Sequence, residues 1–289
     1  MSTISSSLQA FQSALTLDRN QDLLNGSLIS LSSGSKNASV ADDPVAAGVS
    51  NTLTSQNQRL NAAATNIQTA VSYTQTGDSI LSNVGNVLES MSRLVTLARD
   101  PTQSSADVAD YQVEFRSLQN ELRNTIGGTT AEIGGTSGVA SPLGAFNGLP
   151  LFGSSGYQVV LGASADESMT IPATNLQTGA TLNLIQQDSS GNYTLNVSSA
   201  SVADLTDAIQ QVASSRASIG AAQVRLNLAS ATVQTQSQNN ASAISQINDV
   251  DVAAASTQLA TYNVLVQADA AIAAQANLTS EAVLKLLKQ

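Results

Sequence analysis

The feature that most constrains the fold is a long run of apolar residues whose spacing alternates between four and three positions. The run begins after the sequence Asp42-Asp43-Pro44, which has the composition of a helix start. Its positions include Leu60, Ile67, Val84 and Met91. This spacing is that of a helix packed against a partner helix. A single helix over residues 44–99 would be about 84 Å long. That length exceeds the diameter of a compact globular protein with this number of residues. We therefore expect a rod-shaped molecule or a break in the helix near Gly77.

Both ends of the chain carry the same helical spacing. Near the N-terminus it links Ile4, Leu8, Phe11 and Leu15. The C-terminal half predicts a helix from about 205 to 246 and an Ala-rich helix from 252 to the end. Since the helical parts lie at the two ends of the chain, the simplest packing makes them antiparallel partners.

The middle of the chain has a different composition. Residues 129–200 are rich in Gly, Ser, Thr, Asn and Asp. Short runs predict strands at Tyr157–Leu161, Met169–Ile171, Thr181–Ile185 and Tyr193–Val197. The predicted fold is therefore mostly α: a long antiparallel helical rod or coiled coil, formed by the N- and C-terminal segments, with a small β-hairpin-rich central insert. We divide it into terminal helices, 1–43 with 250–289; a rod core, 44–128 with 201–249; and the insert.

The terminal helices have too little apolar surface to be stable alone or with one partner. Residues 253–284 contain only Asp269 and Glu281 as charged groups, and most of their small side chains are Ala. Such helices gain stability when neighbouring copies supply apolar surface, which predicts polymerisation. The predicted polymerisation seam comprises Ile4, Leu8, Phe11, Leu15, Leu259, Tyr262, Val266, Ile272, Leu278, Val283, Leu284 and Leu287. An ordinary intramolecular bundle is the alternative, and a membrane-surface helix is disfavoured by the scarcity of cations.

Composition argues against several functional classes. The 289 residues include no Cys, His or Trp, so thiolate or imidazole metal sites and nucleophile–histidine pairs are excluded. A formal net charge of −10 disfavours nucleic acid and anionic membranes as partners. Asp249 and Asp251 are alternate acids without a third ligand, so a helix cap is the better interpretation than a catalytic or metal site. We expect no enzyme activity, cofactor or metal. The N-terminal segment lacks the features of a cleaved signal peptide.

Three blocks of sequence resemble the bacterial flagellins. The first is LSSGSKNASVADDPVAAGVS at residues 31–50, and the second is FNGLPLFGSSGYQVVLGASADESMTI at 146–171. The third is the C-terminus, where AQAN at 274–277 is followed by VLKLL at 283–287. The blocks occur in the family's order, and the resemblance extends over nearly the whole chain. The resemblance implies that the paired terminal helices line the inner tube of a filament, that the next helices form its core, and that the central segment faces outward.

The resemblance also implies partners and a location. Flagellins are exported unfolded by the flagellar type III system, held by an export chaperone, and assembled under a cap protein beyond the hook-junction proteins. We therefore expect an extracellular motility filament. The family's segment for the vertebrate innate receptor corresponds to Leu88, Glu89, Ser90, Leu94 and Glu114, with Ser90 in place of the usual Arg.

Two alternative functions stay open. The sequence DDPVAA at 42–47 also resembles hook–filament junction proteins of the same apparatus. A surface adhesin built on the insert would need a polar and aromatic patch, for which Phe146, Phe152, Tyr157 and Tyr193 are available.

Overall fold

The computed structural model describes residues 2–37, 39–41, 43–127, 143–188 and 190–287. Within these ranges, the side chains of residues 2–7, 9, 10, 277 and 279–287 lie outside the description. The helices are α1 (Ser2–Ser33), α2 (Pro44–Ala98), α3 (Ser105–Ile126), α4 (Ala180–Ile185), α5 (Val202–Asn248) and α6 (Val252–Leu287). The strands are β1 (Ala145–Phe146), β2 (Leu149–Pro150), β3 (Tyr157–Val160) and β4 (Ser168–Ile171). The prediction of a mostly α fold with a small strand-containing insert is confirmed.

Local signals determine where the helices begin and end. Gly34 has a φ of 69°, a conformation that glycine adopts without strain, and it terminates α1. The Asp43 carboxylate accepts two hydrogen bonds from backbone N–H groups in the first turn of α2, at 3.1 and 2.9 Å. Asp251 caps α6 in the same way, at 3.0 and 3.1 Å. Asp251 is therefore a helix cap, and Asp249 accepts a hydrogen bond from the Ser245 hydroxyl.

The chain divides into two compact units. The first comprises residues 1–57 with 238–289, and the second comprises residues 58–237. In the first unit, α1 packs antiparallel to α6. Cα atoms of the two helices lie within 8 Å of each other, a close approach that small side chains permit. The second unit contains the strands, α3, α4 and the parts of α2 and α5 that lie within it.

Antiparallel packing of α2 and α5 organises the second unit. The Ser237 hydroxyl donates to the Asn61 side chain at 3.4 Å near one end, and Arg99 donates to the Ala200 carbonyl oxygen at 2.9 Å near the other. Helix α2 passes through Gly77 without a break. A Cβ atom at Gly77 would lie 3.1 Å from Ile219 Cδ1, so the glycine gives room for this α5 side chain.

Two hydrophobic clusters form the core of the second unit. One joins the C-terminal half of α2 to α3, α4 and the start of α5, and Leu88, Phe115 and Leu205 are fully buried in it. The other joins the 60–71 part of α2 to β4 and to the 222–233 part of α5. Both clusters place the apolar positions of the long α2 pattern against its partners, which explains the pattern's length.

The insert contains two short antiparallel hairpins. In the first, Asn147 and Gly148 form the two-residue turn between β1 and β2, with φ values of 50° and 76°. In the second, β3 pairs with β4 in the register Tyr157↔Ile171. The predicted strands at 157–161 and 169–171 are therefore confirmed. Residues 129–142 of the predicted insert lie outside the described residues.

An aromatic cluster packs the hairpins against α2. The ring of Tyr73 meets the edges of Phe146 and Tyr157, with ring centroids 5.8 and 5.3 Å apart. Burial, together with the neighbouring Tyr157, raises the pKa of Tyr73 to about 12. Phe146 and Tyr157, two of the aromatic residues available for an adhesin surface, therefore take part in internal packing. A third, Phe152, is fully buried.

The other two strand predictions were wrong. Residues 180–185 form the short helix α4, and residues 193–197 contribute a single bridge, Gln187↔Tyr193. The reason is that a local turn, in which the Thr194 N–H donates to the Gln186 carbonyl oxygen at 3.0 Å, and glutamine side chains satisfy this part of the main chain. Gln119 donates to the carbonyl oxygens of Leu184 and Leu195 at 2.7 and 3.1 Å. Gln211 accepts from the N–H of Thr181 at 3.1 Å.

Candidate self-association surface

The terminal helices α1 and α6 are held in antiparallel register at two places. Beyond the helix ends, the Lys36 N–H donates to the Asn248 carbonyl oxygen at 2.6 Å, and the Val250 N–H donates to the Gly34 carbonyl oxygen at 3.0 Å. Further along the helices, Asn20 Nδ2 donates to Asp269 Oδ2 at 2.5 Å. The two contacts come in opposite order along the two helices, as antiparallel pairing requires.

The inner face of each helix follows the four-three spacing of a coiled coil. The least exposed positions of α1 among the described side chains are Ser13, Leu17, Asn20, Leu24, Ser27, Ser30 and Leu31. Those of α6 are Ala255, Leu259, Tyr262, Val266, Asp269, Ala273 and Ala276. With Asn20 opposite Asp269, the register places Leu24 opposite Val266 and Leu17 opposite Ala273. The contact between the helices therefore mixes apolar, small and polar side chains.

The outer face of α1 carries the more apolar residues. Leu8, Phe11 and Leu15 are 55, 62 and 53% exposed. Phe11 and Leu15 each lie two residues before an inner position, Ser13 and Leu17. Two residues correspond to a rotation of about 200° around the helix axis. This stripe, defined as Leu8, Phe11 and Leu15, lies opposite the face that packs on α6. We call it the outer stripe.

The predicted polymerisation seam is distributed over both faces of the helix pair. On α6, Leu259, Tyr262 and Val266 are half-buried on the inner face, whereas Ile272 and Leu278 are 54 and 60% exposed. The α1 seam residues with described side chains form the outer stripe. The side chains of Ile4, Val283, Leu284 and Leu287 lie outside the described part of the structure. The structure therefore brings Leu259, Tyr262 and Val266 together with α1, and it leaves Leu8, Phe11, Leu15, Ile272 and Leu278 exposed.

Sequence reasoning missed the inner face of α1. The signal was present, because Leu17, Leu24 and Leu31 repeat every seven residues. It was masked by Ser13, Asn20 and Ser27 at the intervening positions, which are polar. The pair of Asn20 with Asp269 was likewise not anticipated, although Asp269 is the one charged residue of the sequence between Val252 and Leu278.

The segment that resembles a receptor-binding region is partly buried. Leu88 is fully buried and Leu94 is 2% exposed, and both belong to the core of the second unit. Glu89 and Glu114 are exposed, and Ser90 is half-buried. The accessible part of this segment is therefore acidic, and Ser90 contributes a hydroxyl.

The acidic side chains of the described residues are dispersed, and those with shifted pKa values have local causes for the shift. In the part of the chain that the structure describes, acidic side chains do not gather into a group of three or more that could hold a metal ion. Across the same residues, every helix is too short or too polar to cross a membrane. The lowered pKa values of Asp100, Asp107 and Asp188 arise from hydrogen bonds to nearby turn and cap groups, chiefly donated by the main chain at Asp100 and Asp188 and by the Ser104 hydroxyl at Asp107.

The fold and this surface define a class: an antiparallel helical structural protein with a small strand-containing insert. Comparison with known proteins narrows the class. Residues 4–132 match the family model of the bacterial flagellin N-terminal helical region, and residues 202–287 match that of the C-terminal helical region. The chain therefore belongs to the bacterial flagellin family, whose members are structural proteins that assemble into filaments.

Individual relatives are similar over most of their length. The flagellin of Halalkalibacterium halodurans is 28% identical over 260 residues, which cover 89% of each chain. Flagellin FlaB2 of Treponema pallidum is 27% identical over 301 residues, and the flagellin of Bacillus subtilis is 26% identical over 317 residues. Both of these alignments cover 99% of each chain.

Proposed function

We propose that this chain is the structural subunit of a bacterial flagellar filament and serves motility by polymerising through the outer faces of α1 and α6. The observation that carries the proposal is the orientation of the outer stripe. Helix α1 packs on α6 through a face that contains Ser13, Asn20 and Ser27, while Leu8, Phe11 and Leu15 are more than half exposed. An apolar stripe left free beside a formed helix pair is a surface for another helix.

The magnitude of the burial supports assembly. Each of Leu8, Phe11, Leu15, Ile272 and Leu278 keeps roughly half of its surface in contact with solvent. Covering the remaining half contributes about 1 kcal/mol for each side chain, or about 5 kcal/mol for each subunit before the entropy of association is subtracted. Since every subunit in a helical polymer has several neighbours, many such contacts add along the filament.

The parts of the chain take separate places in the proposed filament. Residues 1–43 with 250–289 form its inner core, residues 44–128 with 201–249 form the helical core around it, and residues 129–200 face outward. The low charge of the first part supports a position among other subunits, since residues 253–284 contain only Asp269 and Glu281 as charged groups. The absence of Cys from the sequence is compatible with export in an unfolded state.

Export and assembly partners follow from the family. The proposed route is the flagellar type III system, to an extracellular filament. An export chaperone, a cap protein and hook-junction proteins are the proposed partners. For the innate receptor we propose weakened recognition at Leu88, Glu89, Ser90, Leu94 and Glu114, because Ser90 supplies no cation and both leucines are buried.

Seeded polymerisation tests the proposal. The purified chain is mixed with short fragments of its own filaments or with ammonium sulfate, and the products are viewed by negative-stain electron microscopy. We expect long uniform filaments from the wild-type chain. Persistent monomers or short closed assemblies would overturn the proposal, and the closed assemblies would favour the hook–filament junction alternative.

A charge placed in the outer stripe tests the surface itself. Phe11→Asp should block filament growth, because a carboxylate would have to be buried in the contact between subunits. The secondary structure of the soluble chain should not change, since Phe11 is 62% exposed. The matched control is Val113→Asp on α3, which adds the same charge at a site that is 70% exposed. Equal inhibition by both variants would contradict the assignment of α1 as the assembly surface.

A further inference from the structure

The pair Asn20–Asp269 occupies a position where a coiled coil normally buries apolar residues. Both side chains are half-buried on the inner faces of α1 and α6, and Asn20 Nδ2 lies 2.5 Å from Asp269 Oδ2. Polar residues at single core positions of coiled coils lower the stability of the pair but determine which arrangement of the helices forms. A choice between arrangements exists here, because α1 has two faces with the same four-three spacing.

The alternative arrangement would use large apolar residues near the N-terminal end of α1. It would turn the outer stripe toward α6 and bring Leu15 to the level that Leu17 now occupies opposite Ala273. On hydrophobic burial alone the two faces are closely matched, since the alternative face offers Leu8, Phe11 and Leu15 and the observed face offers Leu17, Leu24 and Leu31. Something other than apolar area therefore selects the observed face.

Electrostatics penalises the alternative at Asp269. The four-three spacing that links Leu8, Phe11 and Leu15 continues through Asp18 and Asp22. With that face inward, these two carboxylates would flank Asp269, and the N–H donor of Asn20 would be on the far side of the helix. Three acidic groups would then share a partly dehydrated contact, which is costly because like charges repel and lose solvation. In the observed arrangement Asp18 and Asp22 are exposed.

The backbone bridge beyond the helix ends does not make this selection. It joins main-chain atoms of Gly34, Lys36, Asn248 and Val250. It therefore brings the helices together, but it does not depend on which side chains lie on either face. In the described part of the structure, the side-chain hydrogen bond between α1 and α6 that lies nearest to this bridge joins Asn20 to Asp269.

We propose that the Asn20–Asp269 hydrogen bond is a specificity determinant that selects the inner face of α1 and thereby keeps the outer stripe free for a second copy of this chain. The inference rests on the proposed polymerisation through that stripe. The pair does not need to add stability, because its role is to make the wrong face unfavourable.

Disulfide trapping measures which face of α1 is inward. The chain has no Cys, so engineered pairs form without competition. Leu17→Cys with Ala273→Cys reports the observed face, and Leu15→Cys with Ala273→Cys reports the alternative. Each pair is placed in the wild-type chain and in the variant Asn20→Leu/Asp269→Leu. After mild oxidation of a seeded sample, cross-linked monomers are quantified separately in the pellet and the supernatant.

The expected result is selective trapping that depends on the polar pair. In the wild-type chain the 17–273 disulfide should exceed the 15–273 disulfide by about tenfold or more, the ratio set by loss of one charge-assisted hydrogen bond. In the leucine variant the two yields should become comparable, and the critical concentration for filament growth should rise. The exchange Asn20→Asp/Asp269→Asn restores a donor–acceptor pair in the observed arrangement, but it also puts an amide beside the carboxylates of Asp18 and Asp22 in the alternative one. Its ratio should therefore lie between those of the wild-type chain and the leucine variant.

Two results would overturn the inference. One is a leucine variant that still forms only the 17–273 disulfide, and the other is a wild-type chain that forms both disulfides equally. Filament growth of the wild-type chain is scored in the same samples. Failure of the wild-type chain to polymerise would count against the proposed function, whereas normal polymerisation with an unchanged disulfide ratio in the leucine variant would count only against the role of the pair.

Discussion

Asp78 of α2 and Arg216 of α5 form an ion pair across the second unit, with 2.8 Å between the carboxylate Oδ1 and the guanidinium Nε. The hydrogen bond and the charge of Asp78 raise the pKa of Arg216. The pair lies beside Gly77 and Ile219, where α5 inserts a buried side chain next to α2. A solvent-exposed charge pair and a core contact thus link the same two helical turns.

The first prediction separates these two contributions. Arg216→Gln should lower the free energy of unfolding by less than about 1 kcal/mol, because the paired side chains are 44 and 43% exposed. The difference from wild type should shrink in about 1 M salt. Ile219→Ala should cost about 2–5 kcal/mol, since Ile219 is 2% exposed and its removal leaves a cavity. Urea unfolding monitored by circular dichroism gives both values, and a larger effect for Arg216 would contradict the ranking.

The second prediction concerns two glycines within α2. A Cβ atom at Gly85 would meet nothing within 4 Å, so Gly85→Ala should raise the free energy of unfolding by about 0.5–1 kcal/mol through helix propensity. The matched variant is Gly77→Ala, whose Cβ would lie 3.1 Å from Ile219 Cδ1. It should gain less or lose stability. The order of the two midpoints in thermal unfolding is the measurement, and a greater gain at Gly77 would refute the close contact with Ile219.

Much of the helical framework was predictable because its signals are local. Asp43 at the start of α2, Gly127 at the end of α3 and Asp251 at the start of α6 are cap residues whose roles follow from backbone chemistry. The β3–β4 hairpin was predictable for the same reason. Segment 180–197 was not, because its structure depends on hydrogen bonds donated by Gln119 and accepted by Gln211, which are distant in the sequence.

The arrangement of the terminal helices was predictable only in part. Periodicity identified the apolar residues of α1, but it does not say which of two faces turns toward α6. The face with the larger residues was the natural choice from the sequence, and the structure places that face outward. The decision depends on Asn20 meeting Asp269, which are 249 positions apart, and such a contact leaves no periodic signal.

The third prediction is a pH dependence at the start of α3. The Ser104 hydroxyl and N–H donate to the Asp107 carboxylate at 2.7 and 3.0 Å, and these hydrogen bonds lower the pKa of Asp107 below its usual 3.8. A lowered pKa in the folded state stabilises the fold above pH 3.8, and this contribution is lost as the pH falls through the lowered value. Acid should therefore weaken the second unit partly through this cap.

Asp107→Asn tests the cap. Its urea midpoint should be lower than that of wild type at about pH 7, and the difference should diminish toward about pH 3 as the wild-type carboxylate is protonated. Asp110→Asn, which removes a carboxylate from the same helix outside the capping box, is the control and should show no such convergence. If the Asp107→Asn difference persists undiminished in acid, the hydrogen bonds to Ser104 are not the source of the stabilisation.

The fourth prediction concerns the separate roles of the two units. The residues of both hydrophobic clusters lie between Leu60 and Val233, within the second unit. Deletion of residues 253–289 removes α6 and should leave this core folded, because none of the cluster residues is lost. The deletion should abolish filament growth, since α1 then has no partner to hold its outer stripe in place. Cooperative urea unfolding of the truncated chain, monitored by circular dichroism, reports the first effect, and seeded electron microscopy reports the second. Normal filaments from the truncated chain would show that α6 is not needed for assembly, whereas loss of cooperative unfolding would show that the core of the second unit depends on the terminal helices.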